Sequence, residues 1–200
     1  SEEEKKEMNE NISNNSELLT TIVNDILDLT SLESGKYVMQ SKPIHVTPLC
    51  RQVLETVAHR KAPGVELKLH LQIPEDYVVT TDDLRVKQVL INMMTNAEKN
   101  TTQGSITLAC SLQENPGMLT FSVTDTGIGI PKEQMAHVFE RFTKLDRHKQ
   151  GSGLGLNICR MIAEKLEGKI YIDENYTGGA RFLFAIPTDS QPEVSKPFLS

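Results

Sequence analysis

Strict alternation of apolar and polar residues recurs in four segments of the chain and constrains its fold more than any other feature. In the clearest segment the apolar members are Val65, Leu67, Leu69, Leu71 and Ile73. The same period of two returns at 106–112, 119–123 and 182–186. Because successive side chains of a strand point to opposite faces, this pattern predicts half-buried strands that share one sheet.

Helical patterns lie between these strands and indicate how the sheet is covered. Thr47 and Pro48 are typical of an N-cap and a first-turn proline, and they predict a helix that runs to about Lys61. Further helices are predicted at about 83–100, 131–141 and 153–167. The Asn-Pro-Gly segment at 115–117 predicts a turn between antiparallel neighbours. We therefore predict an α+β domain, a two-layer sandwich whose mixed sheet is covered by helices on one face.

Residues 3–34 contain neither Gly nor Pro, which predicts one long helix in front of this domain. Its apolar residues recur at steps of three, four or seven: Ile12, Leu19, Ile22, Ile26 and Leu29. Gly35 is expected to end the helix. So narrow a stripe predicts pairing with another helix, as in a homodimer, and packing on the following domain is the alternative. The predicted division is a helical segment at 1–36, a domain at 37–187 and a loose tail or linker at 188–200.

Composition excludes several classes of function. The 200 residues carry 21 Lys and Arg against 27 Asp and Glu, a net charge of −6, without a dense basic run, so nucleic-acid binding is not expected. The apolar stretches are far shorter than the roughly 20 residues of a membrane span, so we expect no membrane contact. Cys50, Cys110 and Cys159 are widely separated, which argues against a disulfide framework or zinc site and favours a reducing cytoplasm.

A pair of amides is the first candidate for a functional site. Asn92 and Asn96 are four residues apart on a predicted helix, so they stack on one face about 6 Å apart along its axis, and Lys99 follows one turn later. Amide oxygens and an ammonium group on one stripe suit a hydrated Mg²⁺ that bridges phosphates. An ordinary solvent-facing surface is the alternative interpretation.

Two glycine-containing segments are further candidates. Asp125 ends an alternating strand, and Gly127 and Gly129 follow it. Such a carboxylate can accept a hydrogen bond from an exocyclic amine, while the glycines let backbone approach a flat ring; a simple turn is the alternative. The Gly-Ser-Gly-Leu-Gly segment at 151–155 precedes a helix whose unpaired N–H groups can hold an anion, and a flexible linker is the alternative. Its spacing fits neither the dinucleotide fingerprint nor a Walker loop.

In combination, these segments resemble a known family. In this order, Asn92 with Asn96, then 125–129, 139–142 (Phe-Glu-Arg-Phe) and 151–155 resemble the N, G1, F and G2 boxes of the ATP-binding catalytic domain of sensor histidine kinases. That domain belongs to the wider gyrase, Hsp90, kinase and MutL superfamily, and the likeness covers about residues 44–187. The helix in front resembles the second helix of the dimerisation and phosphotransfer hairpin. The resemblance implies transfer of the ATP γ-phosphate to a histidine, for relay to a response-regulator receiver domain.

The resemblance also implies roles for individual residues at the phosphate end of the nucleotide. Asn96 would coordinate Mg²⁺, with Asn92 beside it near the phosphates and Lys99 in contact with a phosphate, so that Asn92 and Lys99 serve catalysis. A phosphate-side hinge would be formed by Gly151, Gly153 and Gly155.

At the adenine end, the resemblance implies that Asp125 binds the amino group of the base and that Gly127 and Gly129 lie against it. The stretch from about 131 to 152 would be the ATP lid, anchored by Phe139 and Phe142. Of the lid cations, Lys144, Arg147 and Lys149, the last is the expected phosphate contact.

The sequence departs from the family pattern in three respects. Asn100 replaces an aromatic residue and Ala180 replaces a Thr, which would either weaken nucleotide binding or repack the site. No His-Glu-x-x-Thr/Asn-Pro box occurs, so the acceptor histidine is expected upstream of Ser1, and the chain is expected to bind Mg-ATP without phosphorylating itself. Two alternatives stay open. One is a non-catalytic helix-pairing module, and the other is an ATP-hydrolysing clamp, which would carry a Glu at the position of Asn92.

Overall fold

The computed structural model describes residues 2–35, 37–59, 61–143 and 152–188. The helices within these ranges are α1 (Glu2–Glu33), α2 (Val46–Ala58), α3 (Asp83–Asn100), α4 (Lys132–Met135) and α5 (Gly155–Lys165). The strands are β1 (Lys42–His45), β2 (Gly64–Gln72), β3 (Val78–Thr81), β4 (Gln103–Ser111), β5 (Met118–Asp125), β6 (Lys169–Ile172) and β7 (Arg181–Pro187).

A five-stranded mixed sheet carries the domain, in the order β2-β4-β5-β7-β6. The β2 and β4 strands are parallel, and the remaining neighbours are antiparallel. A separate antiparallel pair, β1 and β3, lies beside α2. The predicted Asn-Pro-Gly turn connects β4 to β5, where the N–H of Met118 donates to the carbonyl of Asn115 at 3.1 Å. The predicted fold class is confirmed.

The core lies between this sheet and helices α2, α3 and α5. The alternating apolar residues of the strands point toward these helices, and Phe121 and Phe184 stack with ring centroids 6.0 Å apart. The three cysteines are free and buried there. On the other face of the sheet, a cavity of about 390 Å³ is lined mainly by polar residues of β2, β4, β5 and β7, and none of the predicted site residues borders it. The predicted site residues therefore do not belong to this face of the sheet.

Two expectations about the elements were wrong, and three short strands were not predicted. The α2 helix begins at Val46, because the N–H of Val46 donates to the carbonyl of Tyr77; its N-cap is His45, and the Thr47 hydroxyl is buried without a hydrogen-bond partner. The predicted helix at 131–141 shortens to α4, since the chain continues in i→i+3 turns and reaches a φ of 60° at Phe142. The three short strands β1, β3 and β6 were missed.

The α1 helix presents two different faces. Its C-terminal half packs against α5, and Leu29 and Leu32 are buried there. A second face exposes large apolar side chains: Met8, Ile12, Leu19, Val23 and Ile26. The predicted stripe is therefore divided, because Leu29 belongs to the docked face. As expected, Gly35 follows the helix, with a φ of +66°. No helix in the described ranges is both long and apolar enough to cross a membrane.

Candidate functional site

Asp125 lies at the end of β5 and is almost fully buried, with 2% of its surface exposed. Its Oδ1 atom accepts hydrogen bonds from the backbone N–H groups of Gly127 at 2.9 Å and Ala180 at 3.3 Å. Burial raises the pKa of the carboxyl group, and the two N–H donors oppose that rise. Two backbone donors thus fix one carboxylate oxygen and orient the group, as binding to an exocyclic amine requires.

The backbone around Asp125 is packed too closely for side chains at two glycines. A Cβ atom at Gly127 would lie 2.2 Å from the carbonyl oxygen of Asn100, and one at Gly179 would lie 2.1 Å from the carbonyl oxygen of Asp125. The N–H of Ile128 also donates to the Asn100 carbonyl, at 3.2 Å. The last turn of α3, the segment after β5 and the segment before β7 therefore meet through backbone atoms.

Asn92 and Asn96 lie on α3, which begins at a capped N-terminus where the Asp82 side chain accepts from the N–H of Arg85 at 3.1 Å. A Cβ atom at Gly155 would stand 3.6 Å from Oδ1 of Asn92, so the start of α5 faces this amide. Asn96 lies one helical turn further on, toward Asn100. Since Asn100 touches the segment after Asp125, α3 connects the amide pair to the buried carboxylate.

Asn100 and Ala180, which depart from the family pattern, both contact the Asp125 region through backbone atoms. The side chain of Asn100 donates from Nδ2 to the carbonyl of Asn96 at 2.8 Å, so it caps its own helix. Ala180 holds Asp125 through its backbone alone: besides its N–H bond, its carbonyl accepts from the N–H of Asp125 at 2.9 Å. Neither side chain therefore supplies these contacts around Asp125.

The described residues on either side of 144–151 are held together. Phe139 packs edge-on against Phe182, with ring centroids 6.2 Å apart, and its carbonyl accepts a 2.9 Å hydrogen bond from Nδ2 of Asn157 on α5. A Cβ atom at Gly153 would lie 2.9 Å from the carbonyl carbon of Phe142. Phe139 thus anchors this region as expected. Phe142 does so only through its backbone, since 72% of its surface is exposed.

Two predicted site residues, Lys149 and Gly151, lie outside the described residues, as do Lys144 and Arg147. Sequence reasoning missed Asn157, which is 2% exposed and ties α5 to Phe139. The available signal was a polar residue, Asn157, on the apolar face of a predicted helix.

Sequence reasoning also missed three carboxylates of α1 that contact the domain. Asp25 accepts from the Ser152 hydroxyl at 2.5 Å. Asp28 accepts from Arg85 at 2.9 Å and from Gln88 at 2.7 Å. Glu33 pairs with Arg141. With Leu29 and Leu32, these residues follow the i, i+3, i+4, i+7, i+8 spacing of one helix face, which was the available signal.

Asp25 lies in a mixed electrostatic environment. Burial raises the pKa of its carboxyl group, the Ser152 hydrogen bond lowers it, Asp28 raises it and the Lys99 ammonium group lowers it. On α5, burial raises the pKa of the Cys159 thiol to about 12, with a hydrogen bond from Asn92 and the charge of Asp25 as smaller influences. Asp25 therefore interacts electrostatically with Lys99 and with Cys159, and Asn92 contacts the same cysteine.

Among the residues that the structure describes, no group of three or more His, Cys, Asp or Glu is arranged to hold a metal ion. Any cation near α3 would depend on amide oxygens and on oxygens of a ligand. Hard oxygen donors of this kind fit Mg²⁺, which keeps several waters and is commonly shared with substrate phosphates.

Residues 81–190 match the family model described as "Histidine kinase-, DNA gyrase B-, and HSP90-like ATPase". The chain belongs to this family. The matched segment contains α3, Asp125 and α5, whereas α1 lies before it. The family predicted from the four boxes is therefore confirmed, and the chain contains the ATP-binding catalytic domain of a sensor histidine kinase.

Curated relatives of this kinase domain are sensor kinases. The autoinducer 2 sensor kinase/phosphatase LuxQ of Vibrio harveyi is 32% identical, over 98% of the chain and 24% of the relative. The circadian input-output histidine kinase CikA of Synechococcus elongatus is 34% identical, over 98% of the chain and 26% of the relative. The chain thus spans about a quarter of the length of these two relatives.

Solved histidine kinases share the fold. Full-length ShkA in complex with AMPPNP superposes with a TM-score of 0.75 and 31% identity, over 85% of the chain and 36% of ShkA. Histidine kinase ThkA in complex with the response regulator TrrA gives a TM-score of 0.68 and 30% identity, over 88% of the chain and 49% of ThkA. Both matches cover more of the chain than residues 81–190 alone.

Proposed function

We propose that this kinase domain binds Mg-ATP along α3 and α5 and donates the γ-phosphoryl group to a histidine imidazole. The observation that carries the proposal is the continuity of the site. Asp125, a buried and oriented carboxylate, is joined through Asn100 to the helix that bears Asn92 and Asn96, and Asn92 faces the start of α5. This continuity supports the proposal that a base-binding group and a phosphate-binding surface belong to one site.

At the adenine end, Asp125 would accept a hydrogen bond from the exocyclic amine of the base. Its Oδ1 is already used by two backbone donors, so the other oxygen is the acceptor. Gly127 and Gly129 would place backbone against the ring, because they carry no side chain to hold it away. Burial strengthens this hydrogen bond relative to one made in water.

At the phosphate end, Asn96 would hold Mg²⁺ through its amide oxygen, and Asn92 and Lys99 would bind phosphate oxygens. Gly153 and Gly155 would let the phosphates approach the start of α5, whose N–H groups favour an anion. When bound, Mg²⁺ neutralises charge on the transferring phosphoryl group. The chain itself contributes position and electrostatic stabilisation, which is most of what phosphoryl transfer requires. Lys149 and Gly151 complete this end in the proposal, on the strength of the family resemblance.

The acceptor histidine, in this proposal, lies on a helix that pairs with α1. The exposed apolar face of α1, from Met8 to Ile26, is suited to that pairing and to a homodimer. The phosphoryl group would pass from the imidazole to a response-regulator receiver domain, as the ThkA complex with TrrA suggests by analogy. Use of ATP places the proposed reaction in the cytoplasm.

Hydrolysis by an ATP-driven clamp is disfavoured by Asn92. A neutral amide does not accept a proton near neutral pH, so it cannot activate water as a general base. A non-catalytic module would not bind nucleotide, whereas a kinase domain would. Titration with a nucleotide distinguishes these two alternatives.

The test is titration with a fluorescent ATP analogue, with and without Mg²⁺. We expect Asp125→Asn to raise the Kd roughly 10- to 100-fold, because the amide presents a donor to the adenine amine. Asn96→Ala should abolish most of the Mg²⁺ dependence. Asp76→Asn, an exchange of an exposed acid in the loop before β3, is the matched control and should leave the Kd unchanged. Absence of Mg²⁺-dependent binding to the wild type would favour the non-catalytic module.

A second measurement addresses the acceptor. Incubation of the chain with radiolabelled Mg-ATP should leave no acid-labile phosphate on it. Labelling at any of its histidines would contradict the proposal that the acceptor lies on another helix.

A further inference from the structure

We propose that Asp25 of α1 is an internal substitute for a phosphate group at the start of α5, so that α1 docking and triphosphate binding compete. This inference rests on the proposed function, because it takes Asn92, Lys99 and the start of α5 as the phosphate end. It adds a residue from outside the matched family segment to the determinants of nucleotide affinity.

The first support is the contact that Asp25 makes. Its Oδ2 atom accepts from the Ser152 hydroxyl at 2.5 Å, a short distance typical of a hydrogen bond to an ionised oxygen. The same hydroxyl accepts from the N–H of Leu154, the N-cap residue of α5, at 3.1 Å. The carboxylate is thereby connected to the first turn of a helix whose positive end favours anions.

The second support is the set of groups around that carboxylate. The charge of Lys99 acts on Asp25, and the charge of Asp25 acts on Cys159, which also contacts Asn92. A hydroxyl, an ammonium group, an amide and a helix N-terminus are the partners that a phosphoryl oxygen uses in proteins. Asp25 satisfies part of this set with its own negative charge, so a phosphate at the same place meets repulsion and a hydroxyl already engaged.

The third support is that Asp25 is held in position by neighbours remote from the phosphate end. One helical turn along α1, Asp28 binds Arg85 and Gln88 at the start of α3, and Glu33 pairs with Arg141. Arg85 also lies 4.0 Å over the ring of Tyr37. These contacts dock α1 without touching α5, so an exchange at Asp28 weakens docking while it leaves the carboxylate of Asp25 in place.

Competition between two sites is reciprocal. If docked Asp25 weakens triphosphate binding, bound triphosphate must weaken α1 docking by the same factor. Adenosine carries no phosphate, so it should neither displace α1 nor gain affinity when Asp25 is changed. Comparison of these two ligands therefore isolates the phosphate end from the adenine end.

The experiment measures Kd for Mg-ATP and for adenosine by calorimetry on the wild type and two variants. Asp25→Asn keeps an acceptor for Ser152 but removes the charge, and we expect it to bind Mg-ATP about 5- to 10-fold more tightly, with adenosine unchanged within twofold. Asp28→Asn weakens α1 docking but keeps the charge of Asp25, so it should tighten Mg-ATP binding by less than threefold, a smaller gain than that of Asp25→Asn. Retained adenosine binding verifies that each variant is folded.

Amide hydrogen exchange of residues 22–33 supplies the reciprocal readout. Saturating Mg-ATP should speed exchange in this segment of the wild type, adenosine should not, and Ser152→Ala should speed it without nucleotide. Equal or weaker Mg-ATP binding by Asp25→Asn, or unchanged exchange with Mg-ATP, would overturn the inference while leaving the proposed function intact. If the wild type failed to bind Mg-ATP, the proposed function itself would be wrong.

Discussion

The two ends of the proposed nucleotide site are built in different ways. At the adenine end, Asp125 is held by backbone groups of Gly127 and Ala180, all within the family domain. At the phosphate end, side chains of α3 and α5 converge, and Asp25 joins them from α1. In our proposal, the fold of the domain fixes the adenine end by itself, whereas affinity at the phosphate end depends on where α1 lies. Base recognition would then be constant, while phosphate binding would be open to control.

The largest predicted effect is a difference in stability between two alanine variants, one at Gly127 at the adenine end and one at Gly155 at the phosphate end. At Gly127, a Cβ atom would overlap the Asn100 carbonyl oxygen at 2.2 Å, so Gly127→Ala should lower the free energy of unfolding by more than about 3 kcal/mol. At Gly155, the nearest group is Asn92 at 3.6 Å, and Ala favours a helix, so Gly155→Ala should be neutral or stabilising by up to about 1 kcal/mol. Urea denaturation measures both.

The Gly155→Ala variant also has a functional expectation. Its methyl group would stand where, in our proposal, the phosphates approach α5, so it should weaken Mg-ATP binding while the fold remains stable. If the two alanine variants were equally stable, the adenine end would have the same room as the phosphate end, and the contrast between them would be lost.

The next prediction concerns how the free energy of unfolding depends on pH through the carboxyl group of Asp125. Burial raises the pKa of Asp125 above its unfolded value, so the folded state holds the proton more tightly. Its contribution to stability is therefore greatest below the unfolded pKa and declines as pH rises through the folded pKa. Asp125→Asn removes this dependence. The difference in unfolding free energy between wild type and Asp125→Asn should shift in favour of the variant as pH rises from about 3.5, and then level off.

Asp25, whose pKa burial also raises, is present in both proteins and cancels from that difference. A difference that stays constant from pH 3.5 to 7 would contradict a desolvated Asp125. Chemical denaturation at a series of pH values provides the measurement.

The sequence predicted the sheet well because its long strands carry their own signal. Each alternating segment places its apolar residues toward the helices, as Phe121 and Phe184 illustrate. The strands β1, β3 and β6 have four residues each, too few for a period of two to be recognised. The prediction of a helix at 131–141 was wrong. The apolar residues of this segment have helical spacing, but the chain turns after Met135 and Phe139 packs against Phe182.

The site was predictable only as far as motifs reach. The boxes predicted Asp125 and Asn92 as site residues, and the structure connects the two through Asn100, whose carbonyl contact has no sequence signature. Asp25 was not predicted, because an acidic residue on a long helix normally faces solvent and its partner, Ser152, lies 127 residues away in the chain. Contacts between distant segments depend on tertiary geometry rather than on local pattern.

The smallest predicted effect would break the comparison if it proved large. Ala180 replaces the Thr common in the family, but its contacts with Asp125 run through its backbone N–H and carbonyl. We expect Ala180→Thr to change the Kd for Mg-ATP less than threefold, and to cost at most about 1 to 2 kcal/mol of stability because residue 180 is buried. Calorimetry and urea denaturation measure the two quantities. A tenfold change in affinity would mean that the side chain at position 180, and not only its backbone, affects how Asp125 is held, which would remove the main difference between the two ends of the site.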